Sequence, residues 1–233
     1  QRHHDLPTVL DYQVQRRPDK PWILSGEQSF SYREVDNLSS RLAQGLSRIG
    51  VTTGDTVLCM SQNRVEQVFL WCALAKCGAP LVPVNTHYRG NIFSYLINDS
   101  LAETIAIEAE FLQRLVDVRD ELLHLKRVIL IVGEGEVPGQ VWEQIVSRYE
   151  TYQYPDILDD ALFEGEPPSY RDFMGVFYTS GTTGRSKGVT MTHAHAFEYA
   201  RGVTEMLELR EDDVYCSPLP LFHIAGLLAT VYA

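Results

Sequence analysis

The chain has 233 residues, 45% of them apolar and 22% charged, the proportions of an ordinary globular protein with enough length to bury a substantial core. Thirty-one acidic residues against 20 Lys and Arg leave a formal charge of −11, so the chain has no electrostatic reason to sit on nucleic acid or on an anionic membrane surface. Any polyanionic small ligand must be held by local donors against that field, and no stretch approaches the ~18 apolar residues of a membrane span.

In chain order, Leu6, Val9, Leu10 and Val14 recur at helical spacing over Leu6 to Gln15, and Pro18 closes that helix. Trp22-Ile23-Leu24, Gly26 and Phe30-Ser31-Tyr32 read as strand, turn and strand, a hairpin. Val35, Leu38, Leu42, Leu46 and Ile49 draw one apolar stripe along a helix, which Gly50 ends where a left-handed residue is cheapest. Alternation then sets in. Strands are predicted over Thr56–Met60, Pro80–Val84, Glu103–Ile107 and Arg127–Val132, separated by helices over Val65–Lys76, Asn91–Asn98 and Phe111–Leu123. Short β-rich runs between longer helices specify a layered α/β sheet. The acidic, Pro- and Gly-rich stretch Pro155 to Pro168 reads as a linker or surface connection. Beyond it come an apolar strand (Phe173–Tyr178), a glycine-rich loop, β-like Gly188-Val189, a helix from about His193 to Leu207 and a strand at Val214–Ser217.

Cys59, Cys72, Cys77 and Cys216 show neither C-x-x-C spacing nor suitably placed histidines, so they read as four small buried apolar side chains. That usage, with no secretory signal pattern in the opening residues, fits a reducing, cytoplasmic setting. Phe222 to Ala233 is mostly apolar and ends without a charge or polar tail, so the chain is expected to be the first part of a longer protein.

The run Thr179 to Gly188 carries the chemistry. A strand delivers the chain to four hydroxyls (Thr179, Ser180, Thr182, Thr183), to Gly181, Gly184 and Gly188, and to Lys187, with Arg185 as a second cation. Glycines let backbone N–H groups approach a ligand closely, hydroxyls donate to phosphate oxygens, and a lysine adds a mobile point charge. This composition suits a polyphosphate. It is not the Walker pattern G-x-x-x-x-G-K-[ST], because counting from Gly181 puts Ser186 at the second glycine and Arg185 follows Gly184.

The run Tyr178-Thr179-Ser180-Gly181-Thr182-Thr183-Gly184-Arg185-Ser186-Lys187-Gly188 resembles the phosphate-binding signature of the adenylate-forming, AMP-binding superfamily: acyl-CoA synthetases, luciferases and the adenylation domains of peptide synthetases. Only Ser186 departs, standing where the pattern has proline, and serine leaves the loop more mobile there. Phe30-Ser31-Tyr32-Arg33-Glu34-Val35 is similar to the early family motif that opens the long first helix. Ala75 to Asn85 is similar to the family's helix-to-strand passage, where Gly78 caps a helix and Pro83 bends an edge. Pro220-Leu221-Phe222-His223-Ile224-Ala225-Gly226 resembles the next motif, which borders the acyl pocket.

The resemblance implies an α/β fold, the N-terminal part of the adenylate-forming architecture, with two packed subdomains of mixed or parallel sheets. Residues 1–160 would form the first and residues 161–233 begin the second, with the mobile C-terminal domain of relatives absent. It implies ATP, Mg²⁺ and CoA as ligands and a small carboxylic acid as substrate. Thr179, Ser180, Gly181, Thr182, Thr183, Gly184 and Lys187 would hold the ATP phosphates, with Thr182 also a magnesium ligand. Phe222, His223 and Gly226 would shape and gate the acyl side, Gly226 by letting substrate pass close to the backbone. The motif form and the passage Asn85-Thr86-His87-Tyr88-Arg89 look most like acyl-CoA ligases, nearest to carnitine/crotonobetaine-type and fatty acid ligases. An aryl- or amino-acid-activating domain that loads a carrier protein, and a non-catalytic fragment, are the alternatives. No catalytic set is complete in this chain, because the remaining family motifs lie downstream in relatives, so the isolated chain is expected to be inactive.

Overall fold

The computed structural model of the protein describes residues 4–132, 137–179, 185–216 and 218–232. Helix α1 (Leu6–Arg16) starts at Asp5, whose Oδ1 accepts the Thr8 amide at 2.9 Å. The antiparallel hairpin of β1 (Pro21–Ser25) and β2 (Gln28–Ser31) follows and leads directly into α2 (Tyr32–Arg48). The motif at Phe30–Val35 has a local physical reason. Ser31 Oγ accepts the Glu34 amide at 3.3 Å while Glu34 Oε2 accepts the Ser31 amide at 2.8 Å, a reciprocal capping box that satisfies two otherwise orphaned donors. The Ser31 amide, and then the Ser31 hydroxyl, donating to the Glu34 carboxylate hold it below its usual range.

The alternation predicted from the sequence is then built as β3 (Val57–Met60), α3 (Val65–Cys77), β4 (Leu81–Pro83), α4 (Gly90–Asp99), β5 (Thr104–Glu108), α5 (Leu112–Val118), β6 (Arg127–Ile131), α6 (Gly139–Val146) and β7 (Glu150–Gln153). After a long connection come β8 (Phe173–Tyr178), β9 (Gly188–Thr192) and α7 (His193–Met206). Seven strands form one sheet in the order β7-β6-β5-β3-β4-β8-β9, parallel at every pairing except the antiparallel β8–β9. The expected α/β class with a mixed, mostly parallel sheet is therefore the fold observed.

Alternate side chains of the central strands enter two separate cores. Val57, Cys59, Ala106 and Ile129 pack with Val35, Leu42 and Leu46 of α2 and with Leu70, Trp71 and Leu74 of α3. Leu58, Met60, Ile105, Ile107 and Val128 pack with Phe93 and Ile97 of α4, Leu115 of α5 and Ile145 of α6. Strands covered on both faces are apolar through their interiors, which is why β3, β5 and β6 read as apolar runs with polar residues only at the ends of β5 and β6. Across α2 and α3, Lys76 Nζ donates to the Asp36 carbonyl at 2.8 Å and carboxylate at 2.7 Å, and to Ser40 Oγ at 2.7 Å. No helix among the described residues is long and apolar enough to cross a membrane.

Several details differ from the sequence reading. The single helix expected over Phe111–Leu123 is three pieces, with 3₁₀ turns at Ala109–Phe111 and Arg119–Glu121 flanking α5. The stretch starting at Pro155 is not a free linker. Tyr154 and Ile157 are buried, the Tyr154 hydroxyl donates to the Glu66 carbonyl at 3.1 Å, and Arg48 pairs with Asp159 at 2.7 Å, strapping the segment across α2. The strap lies so close that a Cβ on Gly45 would stand 1.5 Å from the Ile157 carbonyl oxygen. Val214, Tyr215 and Cys216 form no strand, and Ser217 lies outside the described residues. Cys59, Cys72 and Cys77 are buried as expected, with thiols pushed up to about 12 by burial, but Cys216 is exposed.

Pro83 is not on an edge, because β4 lies between β3 and β8. The Val84 amide donates to the Cys59 carbonyl and the Val57 amide to the Pro80 carbonyl, so strand alternation turns the Pro83 nitrogen toward β8. The β4–β8 ladder is confined to Leu81↔Gly175, and no ladder bond is lost to the proline. The division expected near residue 160 falls in the strap between β7 and β8, and the strands on both sides of it share the one sheet.

Candidate functional site

Parallel strands leave from a common edge, and ligands of open α/β sheets collect where neighbouring connections depart to opposite faces. In the order β7-β6-β5-β3-β4, β3 leads to β4 through α3 on one face, whereas its other neighbour β5 leads the opposite way to β6 through α5 on the other face. The switch point therefore lies between the C-terminal ends of β3 and β5, at the segment 61–64 and Glu108. The β8–β9 connection leaves the same edge, beyond β4.

That connection is a hairpin loop. Beyond the Tyr178↔Gly188 pair, the Thr179 amide donates to the Lys187 carbonyl at 3.0 Å and closes the ladder. Thr179 Oγ1 also reaches the Lys187 carbonyl, at 3.4 Å. Of the expected phosphate-binding residues, Thr179 and Lys187 thus stand at the two mouths of the loop, both exposed. Ser180, Gly181, Thr182, Thr183 and Gly184, and with them the expected magnesium ligand, lie outside the described residues. The Thr179 amide and hydroxyl both donate to the Lys187 carbonyl, the hydroxyl over the longer distance, so the hydroxyl would turn from that contact to donate to a ligand. Arg185 and Lys187 make no ion pair with a carboxylate among the described residues, leaving two exposed cations at the loop mouth of an acidic chain.

Helix α4 backs the loop. The Tyr178 hydroxyl donates to Asp99 Oδ2 at 2.7 Å, and burial together with that bond raises the Tyr178 phenol far above its usual value. The Tyr95 hydroxyl donates to the Ser186 carbonyl at 3.2 Å, and the Arg185 guanidinium lies over the Tyr95 ring, 5.2 Å from its centre. The Tyr95 phenol is likewise raised, by burial first and then by Asp99. Sequence reading placed neither Tyr95 nor Asp99 at the site. Both sit one turn apart on a helix whose pattern signals only a buried stripe.

At the switch point, the segment 61–64 is fixed by Glu108 at the end of β5. This buried carboxylate accepts the Gln62 amide at 2.8 Å and faces Arg64 at 3.4 Å, which also pairs with Glu66 at 3.1 Å. Asn63 extends from that segment to the motif at Pro220–Gly226. Its Nδ2 donates to the Leu219 carbonyl at 3.1 Å and its Oδ1 accepts the Leu221 amide at 2.8 Å. Asn63 is a third residue that no sequence pattern singles out.

Within the motif, Phe222 is half-buried and His223 exposed. His223 Nδ1 accepts the Ala225 amide at 3.2 Å, capping the helical turn Ile224–Gly226, and its own amide donates to the Pro220 carbonyl at 3.0 Å. Gly226 is buried, and a Cβ there would stand 2.0 Å from the Pro220 carbonyl oxygen. The turn itself therefore requires glycine at this position. A π-helical segment, Leu227–Tyr232, anchors the motif by burying Leu227 and Leu228 in the core shared with α3.

Residues 10–233 match the model of the AMP-binding enzyme family. The chain is 33% identical over 197 residues to a crotonobetaine/carnitine–CoA ligase of Citrobacter koseri, a match covering 84% of this chain and 37% of that protein. Among solved structures it is similar to a long-chain-fatty-acid–CoA ligase from Archaeoglobus fulgidus, with a TM-score of 0.78 and 26% identity over 96% of this chain and 44% of the other. It is also similar to an o-succinylbenzoate CoA synthetase from Bacillus subtilis solved with an acyl-adenylate intermediate, with a TM-score of 0.70 and 25% identity over 97% and 52% of the two chains. The chain spans between 37% and 45% of the length of the curated relatives first matched. With its hairpin loop and its motif at Pro220–Gly226 set along the C-terminal edge of a mostly parallel sheet, and with a family model matched along nearly its whole length, the chain belongs to the AMP-binding enzyme family.

Proposed function

We propose that the intact protein is an ATP-dependent acid–thiol ligase that activates a small carboxylic acid and transfers it to CoA. The observation that supports this most is the hairpin loop closed by Thr179 and Lys187 at the C-terminal edge of the sheet, carrying two cations without carboxylate partners among the described residues. In the first step a carboxylate oxygen attacks the α-phosphorus of ATP, the bond to the bridging oxygen breaks, and pyrophosphate leaves an acyl-adenylate. In the second, the CoA sulfur attacks the acyl carbon, its proton is lost, and AMP departs.

Both the acid and ATP are anions, so their approach in a dry crevice requires prearranged donors where charge accumulates on the departing pyrophosphate. In this reading Thr179 to Gly184 and Lys187 hold those phosphates, and Thr182 is a ligand for Mg²⁺, which when bound neutralises phosphate charge. Phe222, His223 and Gly226 border the acyl group. The close packing of Gly226 on Pro220 leaves backbone rather than a side chain on that wall.

The test is ATP–pyrophosphate exchange by the intact protein across a panel of aliphatic and aryl carboxylic acids, followed by AMP release with and without CoA. Acid-dependent exchange with CoA-dependent AMP release is expected. Acylation of a carrier's phosphopantetheine in preference to CoA would move the reading to a carrier-loading domain, and no exchange with any acid would remove it.

A further inference from the structure

Lys187 is bracketed by two peptide groups. The peptide after it is held through its own carbonyl, which accepts the Thr179 amide at 3.0 Å. The peptide before it is held through the Ser186 carbonyl, which accepts the Tyr95 hydroxyl at 3.2 Å. Fixing both flanking peptide planes fixes the φ and ψ of Lys187, and with them the direction of its Cα–Cβ bond. One of these bonds belongs to the hairpin and forms with it. The other is supplied by a side chain 91 residues earlier, on a helix packed against the opposite core. Tyr95 is itself well seated, because α4 buries Phe93, Leu96 and Ile97 on either side of it. Its ring also carries the Arg185 guanidinium, so one side chain engages two successive loop residues. The position it holds is Ser186, where a proline ring is not available to restrict the backbone.

We propose that Tyr95 is a positioning residue for nucleotide binding: it fixes the arm of the loop from which Lys187 reaches the β- and γ-phosphates of ATP. The proposal rests on the phosphate-binding reading of the loop, and it adds a residue on α4 that acts through Lys187 without touching the ligand. Tyr95→Phe keeps the ring under Arg185 and removes only the hydroxyl.

The experiment is calorimetric titration of the intact protein with MgATP and, separately, with AMP. The proteins compared are wild type, Tyr95→Phe, Lys187→Ala and the double variant, with thermal unfolding run on each. Tyr95→Phe is expected to weaken MgATP binding by about 3- to 10-fold, the scale of one hydrogen bond, while AMP binding changes by less than about 2-fold. In the Lys187→Ala background the same substitution should have no further effect on MgATP, because the group it positions is gone. If Lys187→Ala weakens MgATP but Tyr95→Phe does not, the positioning role is wrong and the phosphate reading stands. Equal loss of ATP and AMP on Tyr95→Phe, or full additivity with Lys187→Ala, would assign Tyr95 to general support of the fold and overturn the proposal. If the wild type fails to bind MgATP, or Lys187→Ala leaves that binding unchanged, the phosphate reading itself falls and the proposal with it.

Discussion

The hydroxyl of Tyr178, the last residue of β8, donates to the carboxylate of Asp99, the last residue of α4, at 2.7 Å. This bond joins the strand that leads into the loop to the helix that backs it. Removing the hydroxyl in Tyr178→Phe should lower stability by about 1 kcal/mol, below the usual range for a bond to a charged group because the pair is partly solvated. Asp99→Leu should cost a similar amount, and the double variant about the same as either single one. A double-mutant cycle by urea unfolding measures this. Strict additivity would show that the two residues do not depend on each other.

His193 gives the fold a pH dependence. It is the first residue of α7 and is 1% exposed, with Nδ1 accepting the Leu6 amide at 3.3 Å. Burial lowers its pKa from 6.5 to about 4, while Asp5 and Asp172 oppose the shift. Between those values the unfolded chain binds a proton that the native state refuses. Stability is therefore fully present above about pH 6.5 and declines as the pH falls toward 4, by at most about 1.4 kcal/mol per pH unit from this residue. Urea unfolding of wild type and His193→Gln between these limits should show the two curves converging or crossing as the pH falls. A constant difference at every pH would falsify the assignment.

Gly226 should tolerate no side chain even without a ligand. A Cβ 2.0 Å from the Pro220 carbonyl oxygen forces the backbone of the turn to move, which costs about 2 kcal/mol or more. Gly226→Ala should lower the unfolding midpoint of the unliganded protein accordingly. Were the variant as stable as wild type and impaired only toward the acid, the glycine would be serving the ligand and not the turn.

Asn63 holds the Leu219 carbonyl and the Leu221 amide with one side chain. Asn63→Ala should raise the hydrogen-exchange rate of the Leu221 amide about 10-fold, one hydrogen bond's worth of protection. The Leu227 amide, bonded to the His223 carbonyl at 3.0 Å, should change much less. Equal loosening of both amides would mean that Asn63 supports the whole segment and not this one contact.

The parts of this molecule legible in its sequence are those where one local pattern decides the outcome. β3, β5 and β6 are buried on both faces, so their interiors are apolar, with Thr104, Glu108 and Arg127 only at strand ends. The ends of α2 and α3 follow from Gly50 and Gly78, both at positive φ. Elements set by their neighbours were not legible. The four residues of β7, Glu-Thr-Tyr-Gln, carry no strand pattern and are extended because β6 pairs with them. Helix α6 has only eight residues, with Val141 and Ile145 as its buried pair. Val214 and Tyr215 have strand propensity but no strand to pair with, and Val214 is 76% exposed. At the candidate site, Thr179 and Lys187 stand out in the sequence by their spacing, but the hairpin that sets them opposite each other was only partly legible. Tyr95, Asp99 and Asn63 act from 91, 79 and at least 156 residues away along the chain, where no sequence period connects them to their partners.

The Asn63 clamp also bears on how the protein is made. Residues 57–131 hold four strands whose three registers close among themselves, so that part of the sheet can gather while synthesis continues. The partners of Asn63 emerge from the ribosome more than 150 residues after it. Until then the lip of the crevice formed by residues 61–64 lacks its counterpart, and apolar residues such as Leu70 and Trp71 lack Leu227 and Leu228 above them. During translation the core around α3 thus keeps part of its apolar surface uncovered until residues 227 and 228 have emerged, the interval in which a chaperone would matter most.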